Sequence, residues 1–190
     1  DELANLRLTH MGFIFQNNYL LKNLNLIDNI CLPALKANSK SKDIPSRNSK
    51  ASKLKGADIE DKAMALMIKL GIDHVKHHAI NQVSGGQLQR AAICRALINS
   101  PRILFADEPT GALNSSAAQE VLDILTQLNR ENMTLLTVTH DPKVASVADR
   151  IIYLKDGQIE DQLHLGKFDD TSTRRPREEQ TLKWLIEKGF

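Results

Sequence analysis

The sequence has 190 residues, of which 42% are apolar and 25% charged, so it is long and apolar enough for one globular domain with a buried core. Its 25 lysines and arginines against 23 aspartates and glutamates leave a net charge of only +2, which gives no reason to expect a nucleic acid partner. Cys31 and Cys94 lie far apart and outside any zinc-ligand spacing, which argues against a disulfide framework and a metal cluster and favours a reducing cytoplasm.

The first predicted element is a short buried strand, residues 11–16, and the polar pair Asn17 and Asn18 after it favours a loop. Gln16 therefore falls at a strand end. Apolar residues with helical spacing predict a helix over residues 25–35, and we expect Pro33 to weaken or end it.

Residues 36–56 have a different composition, with seven lysines or arginines, five serines and a single acidic residue. This composition predicts a solvated insertion. It would be either a mobile surface loop, which costs little stability, or a segment that contacts anionic lipid headgroups.

An amphipathic helix is predicted over residues 58–70, with Gly71 as its C-terminal stop. After Pro101, strands and helices alternate, which predicts an α/β fold with a parallel sheet and covering helices. The predicted elements are strand 103–106, helix 117–128, strand 135–139, helix 143–148, a hairpin at 151–160, a polar tail at 171–177 and a last helix at 178–188.

The run Ser84-Gly85-Gly86-Gln87 stands before a helix predicted from Gln89 onward. A hydroxyl, glycine amides and a helix N-terminus would converge there, and this arrangement suits a phosphate. Taken alone, the run could simply be a helix cap.

Acidic residues follow the next predicted strand, where Asp107 and Glu108 come directly after four apolar residues. His140 follows the strand after that, so parallel pairing would bring all three residues to the carboxyl edge of one sheet, where α/β proteins bind ligands. Asp107 could hold Mg²⁺ through water, Glu108 could polarise a water for attack on a γ-phosphate, and His140 could bond a γ-phosphate oxygen.

Four segments together resemble the ATP-binding cassette (ABC) ATPase family in residues, order and spacing. They are Gln16, VSGGQLQR at 83–90, ILFADEPTGALN at 103–114 and THD at 139–141. The resemblance covers about residues 1–160. Within the family the sequence looks most like bacterial ATPases of lipoprotein release, macrolide export and antimicrobial-peptide export.

The resemblance implies that Gln16 is the Q-loop glutamine, which senses Mg²⁺ and couples to a permease. It also implies that a signature motif binds nucleotide through four consecutive residues, namely Ser84, Gly85, Gly86 and Gln87.

Downstream, the resemblance implies that Asp107 and Glu108 are the Walker B pair, with Glu108 as the catalytic base. The D-loop would end at Asn114, which would contact nucleotide, and His140 would be the switch histidine. Asp107 and Gln16 would be the residues nearest to Mg²⁺.

The implied fold is α/β, a P-loop NTPase-like ABC cassette with a mostly parallel core sheet and an α-helical signature subdomain, its N-terminal strands and P-loop missing. The ABC ATPase domain would occupy residues 1–160. It would comprise a helical subdomain at 17–100, with the basic insertion 36–56, and a core sheet at 101–160. Residues 161–190 would form a C-terminal tail and helix.

The sequence departs from the family pattern because no G-x-x-x-x-G-K-[ST] motif occurs in it: Gly166-Lys167 is followed by Phe168. The missing Walker A loop normally supplies most phosphate contacts, so we expect this chain alone to be inactive. We interpret the sequence either as a fragment, which the non-methionine start favours, or as a decayed relative. Val83 and Asn114 are smaller departures from the family pattern. We expect Asn114 to change how the two ATP sites of a dimer are adjusted to each other, rather than to abolish activity.

The resemblance implies ATP and Mg²⁺ as cofactors and a head-to-tail pair of ATPase subunits, expected to be a homodimer. It further implies a transmembrane permease on another chain, no nucleic acid partner, and a peripheral location at the cytoplasmic face of the membrane. A soluble ABC ATPase of DNA repair or translation is the main alternative, but the sequence contains no sustained heptad repeat and no second SGGQ. The second alternative is a non-hydrolysing remnant that only binds a partner.

Overall fold

The computed structural model describes residues 2–40, 56–168 and 171–189. Seven α-helices and five strands are assigned within these ranges. In chain order they are α1 Glu2–His10, β1 Met11–Ile14, α2 Leu26–Lys40, α3 Gly56–Lys69, α4 Gly85–Leu97, β2 Ile103–Asp107, α5 Ser115–Arg130, β3 Thr134–Val138, α6 Pro142–Ser146, β4 Arg150–Lys155, β5 Gln158–His164 and α7 Arg174–Glu187.

Strands β1, β2 and β3 form a parallel sheet with β2 in the middle. Leu104 and Ala106 of β2 are buried, as expected for a central strand covered by helices. The alternation of strands and helices predicted this α/β arrangement, and the prediction is confirmed. All three strands end at the same edge of the sheet, so the residues that follow them lie at one place.

Helices α2, α3 and α4 pack on one another through a continuous apolar core. Ile30, Ile59 and Met67 are fully buried in it, and each such side chain contributes about 1.5–3 kcal/mol to folding. Cys94 is also buried, and burial raises the pKa of its thiol to about 12. Its thiol therefore stays protonated at neutral pH.

Glycine is required where β1 meets α4. A Cβ atom added at Gly12 would lie 2.7 Å from the Ala96 carbonyl oxygen and 2.6 Å from Leu104 Cδ1. Both distances are shorter than any side chain tolerates, so the strand and the helix touch almost backbone to backbone.

Pro33 does not end its helix, since α2 runs on to Lys40, beyond the predicted end at residue 35; that Pro33 weakens the helix stays a prediction. Proline lacks the N–H that would bond the Asn29 carbonyl, but Ile30 and Ala34 on either side are buried. Their packing outweighs one lost hydrogen bond. Residues 36–40 of the predicted insertion therefore belong to this helix, and residues 41–55 lie outside the described part of the chain.

The predicted polar tail, residues 171–177, is mostly helical. It holds a short 3₁₀ turn and the start of α7, which begins at Arg174 rather than at residue 178. Arg177 is buried and explains the difference. Its guanidinium donates hydrogen bonds to the carbonyl oxygens of Ser146, Ala148 and Leu165 at 2.8 Å, and to that of Gly166 at 3.1 Å.

Strands β4 and β5 form a separate antiparallel pair, joined by a turn at Asp156 and Gly157, both with positive φ. The hairpin matches the prediction but is longer. β5 crosses the predicted boundary at residue 160, and α7 packs on α6. In the described part of the chain, no helix is both long enough and apolar enough to cross a bilayer.

Candidate functional site

The carboxyl edge of the parallel sheet carries the two predicted Walker B acids. Asp107 is the exposed last residue of β2, and Glu108 follows it with a φ of 44°, in the left-handed region that non-glycine residues rarely adopt. The backbone N–H of Glu108 donates to the Val138 carbonyl oxygen at 2.9 Å. This bond extends the pairing with β3 by one residue and sets the direction of the Glu108 side chain.

Glu108 and His140 contact each other directly, as the parallel register predicts. Glu108 Oε1 lies 2.7 Å from His140 Nδ1 and accepts the His140 backbone N–H at 2.9 Å. An ionised carboxylate only accepts hydrogen bonds, so in this geometry Nδ1 carries a proton and Nε2 faces away from Glu108. The histidine side chain is 74% exposed, which leaves Nε2 open to a ligand.

Thr139 was quoted in the sequence motif but was given no role. Its hydroxyl donates to Glu108 Oε2 at 3.2 Å and accepts the Asp141 N–H at 3.0 Å. Asp141 in turn caps α6 by accepting the Lys143 N–H. The loop that carries the histidine is thus fixed to the acid on one side and to a helix on the other.

Gln16 lies two residues after β1 and reaches the loop that follows Glu108. A Cβ atom added at Gly111 would be 3.0 Å from Gln16 Nε2, and the Gly111 N–H donates to the Glu108 carbonyl oxygen at 3.1 Å. Gln16, Asp107, Glu108 and Gly111 therefore share one corner of the sheet edge. Carboxylate and amide oxygens are ligands that Mg²⁺ prefers, so Asp107 and Gln16 fit such an ion.

The predicted signature residues form the first turn of α4, which starts at Gly85 and not at Gln89. Ser84 is the N-cap, because its hydroxyl accepts the Gln87 N–H at 3.2 Å while Gln87 Oε1 accepts the Ser84 N–H at 2.9 Å. This reciprocal pair is a capping box. The helix-cap interpretation and the phosphate-site interpretation are therefore compatible, since the same turn presents its N-terminus to solvent.

The N-terminus of α5 lies beside that of α4. Gly86 packs so closely on Ala117 that an added Cβ would be 3.0 Å from the Ala117 Cβ, and Gly85 faces Leu113. Asn114 caps α5 with its side-chain oxygen, which accepts the Ala117 N–H at 2.9 Å. One side of the Asn114 amide is thus used within its own chain, a role that sequence reasoning did not assign.

Two further residues were missed. Gln87 Nε2 lies 3.4 Å from His74 Nε2, so His74 contacts the predicted signature motif from the loop after α3. Arg95 of α4 binds two carbonyl oxygens of the loop after Gln16. The position of Arg95 within the apolar run of α4 was a usable signal, because an arginine there needs a polar partner.

The structure thus brings the predicted residues together in two groups. One joins Gln16, Asp107, Glu108 and His140 at the sheet edge, and the other joins Ser84–Gln87 with Asn114 at two adjacent helix N-termini. Residues 3–111 match the family model described as "ABC transporter". This chain belongs to the ABC transporter family.

Relatives within the ABC transporter family are named macrolide export ATP-binding/permease protein MacB. The protein from Escherichia coli is 47% identical over 159 residues, covering 84% of this chain and 22% of the relative. The protein from Bdellovibrio bacteriovorus is 40% identical over 188 residues, covering 98% of this chain and 26% of the relative. The chain therefore spans about a quarter of the length of these relatives.

Solved ABC cassettes have the same fold. A dimeric structure of the bacterial ABC transporter cassette MJ0796 is 37% identical, with a TM-score of 0.72 over 88% of this chain and 68% of that one. The same cassette has been solved as a dimer in a post-hydrolysis state bound to ADP and Pi, at 36% identity and a TM-score of 0.72 over the same shares. The cassette cbiO1 from Clostridium perfringens, at 24% identity and a TM-score of 0.71, supports the fold.

Proposed function

We propose that this chain is the catalytic part of an ATPase that powers an ABC exporter. The contact between Glu108 and His140 beside Asp107 is the observation that carries the proposal. A general base needs a carboxylate within hydrogen-bonding reach of a water, and a neighbouring group must stabilise charge on the phosphate. Glu108 would be the base, and His140 would supply the second group through Nε2.

Mg²⁺ would neutralise charge on the nucleotide's phosphates. Asp107 would hold the ion through its water shell, and Gln16 would supply an amide oxygen from the neighbouring strand end. Asp107 ends β2 and Gln16 follows the adjacent, parallel strand β1, so both can approach one ion at the same edge of the sheet.

The two groups of site residues fit a head-to-tail pair of subunits, expected to be a homodimer. In this arrangement ATP would lie between the sheet edge of one subunit and the α4 N-terminus of the other, where Ser84, Gly85, Gly86 and Gln87 would bind its phosphates. The dimeric form of a cassette 37% identical to this chain supports the arrangement. Asn114 lies at the neighbouring N-terminus of α5. The part of its amide that the cap does not use would contact the other subunit and adjust the fit between the two.

A membrane permease would receive the motion through residues 17–35, which contain exposed apolar side chains such as Tyr19, Leu21 and Leu35. We place the protein peripherally at the cytoplasmic face of a membrane. The relatives are named for macrolide export and combine ATP-binding and permease parts. The cargo would be an antimicrobial compound, a peptide or a lipoprotein.

The test is the Glu108→Gln variant of the full-length gene product. The amide keeps the shape of the side chain but cannot accept a proton, so we expect ATP binding within about threefold of the parent and turnover lowered by about a hundredfold or more. Binding is measured by calorimetry and turnover by phosphate release. Glu179→Gln, on the exposed side of α7, is the control and should match the parent. Normal turnover by Glu108→Gln would overturn the assignment of the base.

A further inference from the structure

The loop after Gln16, residues 17–25, is held at two places by two different helices. Asn29 of α2 is fully buried and holds one end, accepting the Leu21 N–H at 2.7 Å and donating to the Leu21 and Asn25 carbonyl oxygens. Arg95 of α4 holds the other end. Its hydrogen bonds connect the loop to α4, the helix that begins at the predicted signature motif.

Arg95 binds two consecutive carbonyl oxygens. Nη1 donates to the Tyr19 oxygen at 2.6 Å, and Nη2 donates to the Asn18 oxygen. Arg95 is half-buried, and burial lowers the pKa of its guanidinium. A planar fork with two parallel donors fixes the relative positions of two carbonyl groups, which the single ammonium of a lysine cannot do.

The bound stretch of loop is strained. Asn18 and Tyr19 have φ angles of 43° and 45°, and two consecutive non-glycine residues in this region are unfavourable without outside support. The Asn18 side-chain oxygen is buried and has no hydrogen-bond partner among the described residues. Arg95 supplies the outside support at the two residues that need it.

Helix α4 joins Arg95 to the other half of the proposed site. Arg95 follows Gly85 by ten residues, a distance of about 15 Å along a helix. The close approach of Gly12 to Ala96 holds β1 against the same end of α4. A shift of the α4 N-terminus would therefore move Arg95, and with it the loop that directly follows Gln16.

We propose that Arg95 is a positioning residue. It couples the position of Gln16 to the position of α4, the helix that begins at the predicted signature motif. The inference rests on the proposed function. In a head-to-tail pair, Gln16 serves the nucleotide bound at its own sheet edge, whereas the α4 N-terminus serves the nucleotide of the partner. Arg95 thus links the two ATP sites of the dimer through one side chain.

The first test measures the link without nucleotide. Hydrogen–deuterium exchange of this chain compares Arg95→Met, Arg95→Lys and the exposed control Arg102→Met. We expect exchange over residues 17–25 to accelerate about tenfold or more in Arg95→Met, because a lost hydrogen bond from a charged group has an effect of that size. Arg95→Lys should give a smaller increase, and Arg102→Met none. Residues 85–97 should stay protected in all variants.

Unchanged exchange over residues 17–25 in Arg95→Met would overturn the proposal. Acceleration that spreads equally through residues 85–97 would also overturn it, because it would show a loss of helix stability rather than release of one loop.

The second test uses the full-length gene product in ATP turnover. We expect Arg95→Met to lower kcat about tenfold, with ATP affinity within about threefold, and to bring the Hill coefficient for ATP towards one. Arg95→Lys should have a kcat and a Hill coefficient between those of Arg95→Met and those of the parent. An unchanged kcat and Hill coefficient in Arg95→Met would overturn the coupling role even if the loop is released. Absence of turnover in the parent would reject the proposed function, and the coupling role with it, while the exchange result would still show whether Arg95 holds the loop.

Discussion

Asn114 shows how one side chain can serve both a helix and a site. Its oxygen caps α5, and its exposed position beside the α4 N-terminus leaves the rest of the amide available to a second subunit. The sequence identified the position through its motif. It did not reveal the cap, because the predicted start of the helix, residue 117, was two residues too late.

Substitutions at Asn114 should separate these two roles. Asn114→Ala removes the cap and should lower the free energy of unfolding by about 1 kcal/mol, whereas Asn114→Asp should keep it, since aspartate caps equally well. Urea denaturation measures the difference. Turnover by the full-length Asn114→Asp variant then reports on the site alone. Equal loss of stability in both variants would contradict the capping role.

At the scale of elements, the sequence predicted the three parallel strands and most helices because their apolar periodicity is local. It failed where a helix boundary depends on packing, as when α2 continues through Pro33. The predicted start of α4 was also too late, because two consecutive glycines are typical of a loop. Gly86 is explained by Ala117, a residue distant in the sequence, which leaves little room for a larger side chain at that position.

The close approach of β1 to α4 gives a sharp prediction at Gly12. Gly12→Ala should destabilise the chain by about 1–3 kcal/mol, because the new methyl group meets the backbone oxygen of Ala96 and forces β1 away from α4. Gly56→Ala is the matched control, since a Cβ there meets no described atom within 4 Å. Thermal or urea unfolding should show loss of stability in the first variant only. Equal stability of the two variants would show that β1 can move away at no cost.

At the scale of the whole molecule, a polar C-terminal segment completes the fold. Phe168 is buried and lies within 5.3–5.7 Å of three guanidinium groups, those of Arg130, Arg174 and Arg177. Cation–π contacts and hydrogen bonds to carbonyl oxygens act here beside a few buried apolar side chains, such as Val144 and Leu185. Hydrophobic patterns alone therefore predict only a polar tail.

Removal of the Arg177 guanidinium should release α7. Arg177→Met keeps an apolar stem but leaves four carbonyl oxygens without this donor, so we expect a loss of about 2–4 kcal/mol and cleavage of α7 by trypsin in limited proteolysis. Arg175→Met, at an exposed neighbouring position, should behave like the parent. Retained protease resistance in Arg177→Met would show that other contacts hold α7.

The arrangement around Glu108 limits where a water could reach the proposed base. Both carboxylate oxygens already accept hydrogen bonds, from the ring and backbone of His140 and from the Thr139 hydroxyl. A carboxylate has about four acceptor positions, and these donors use three of them, which leaves one on Oε2. We therefore expect a water to approach the proposed base from the Oε2 side, while the contact between Oε1 and His140 stays in place.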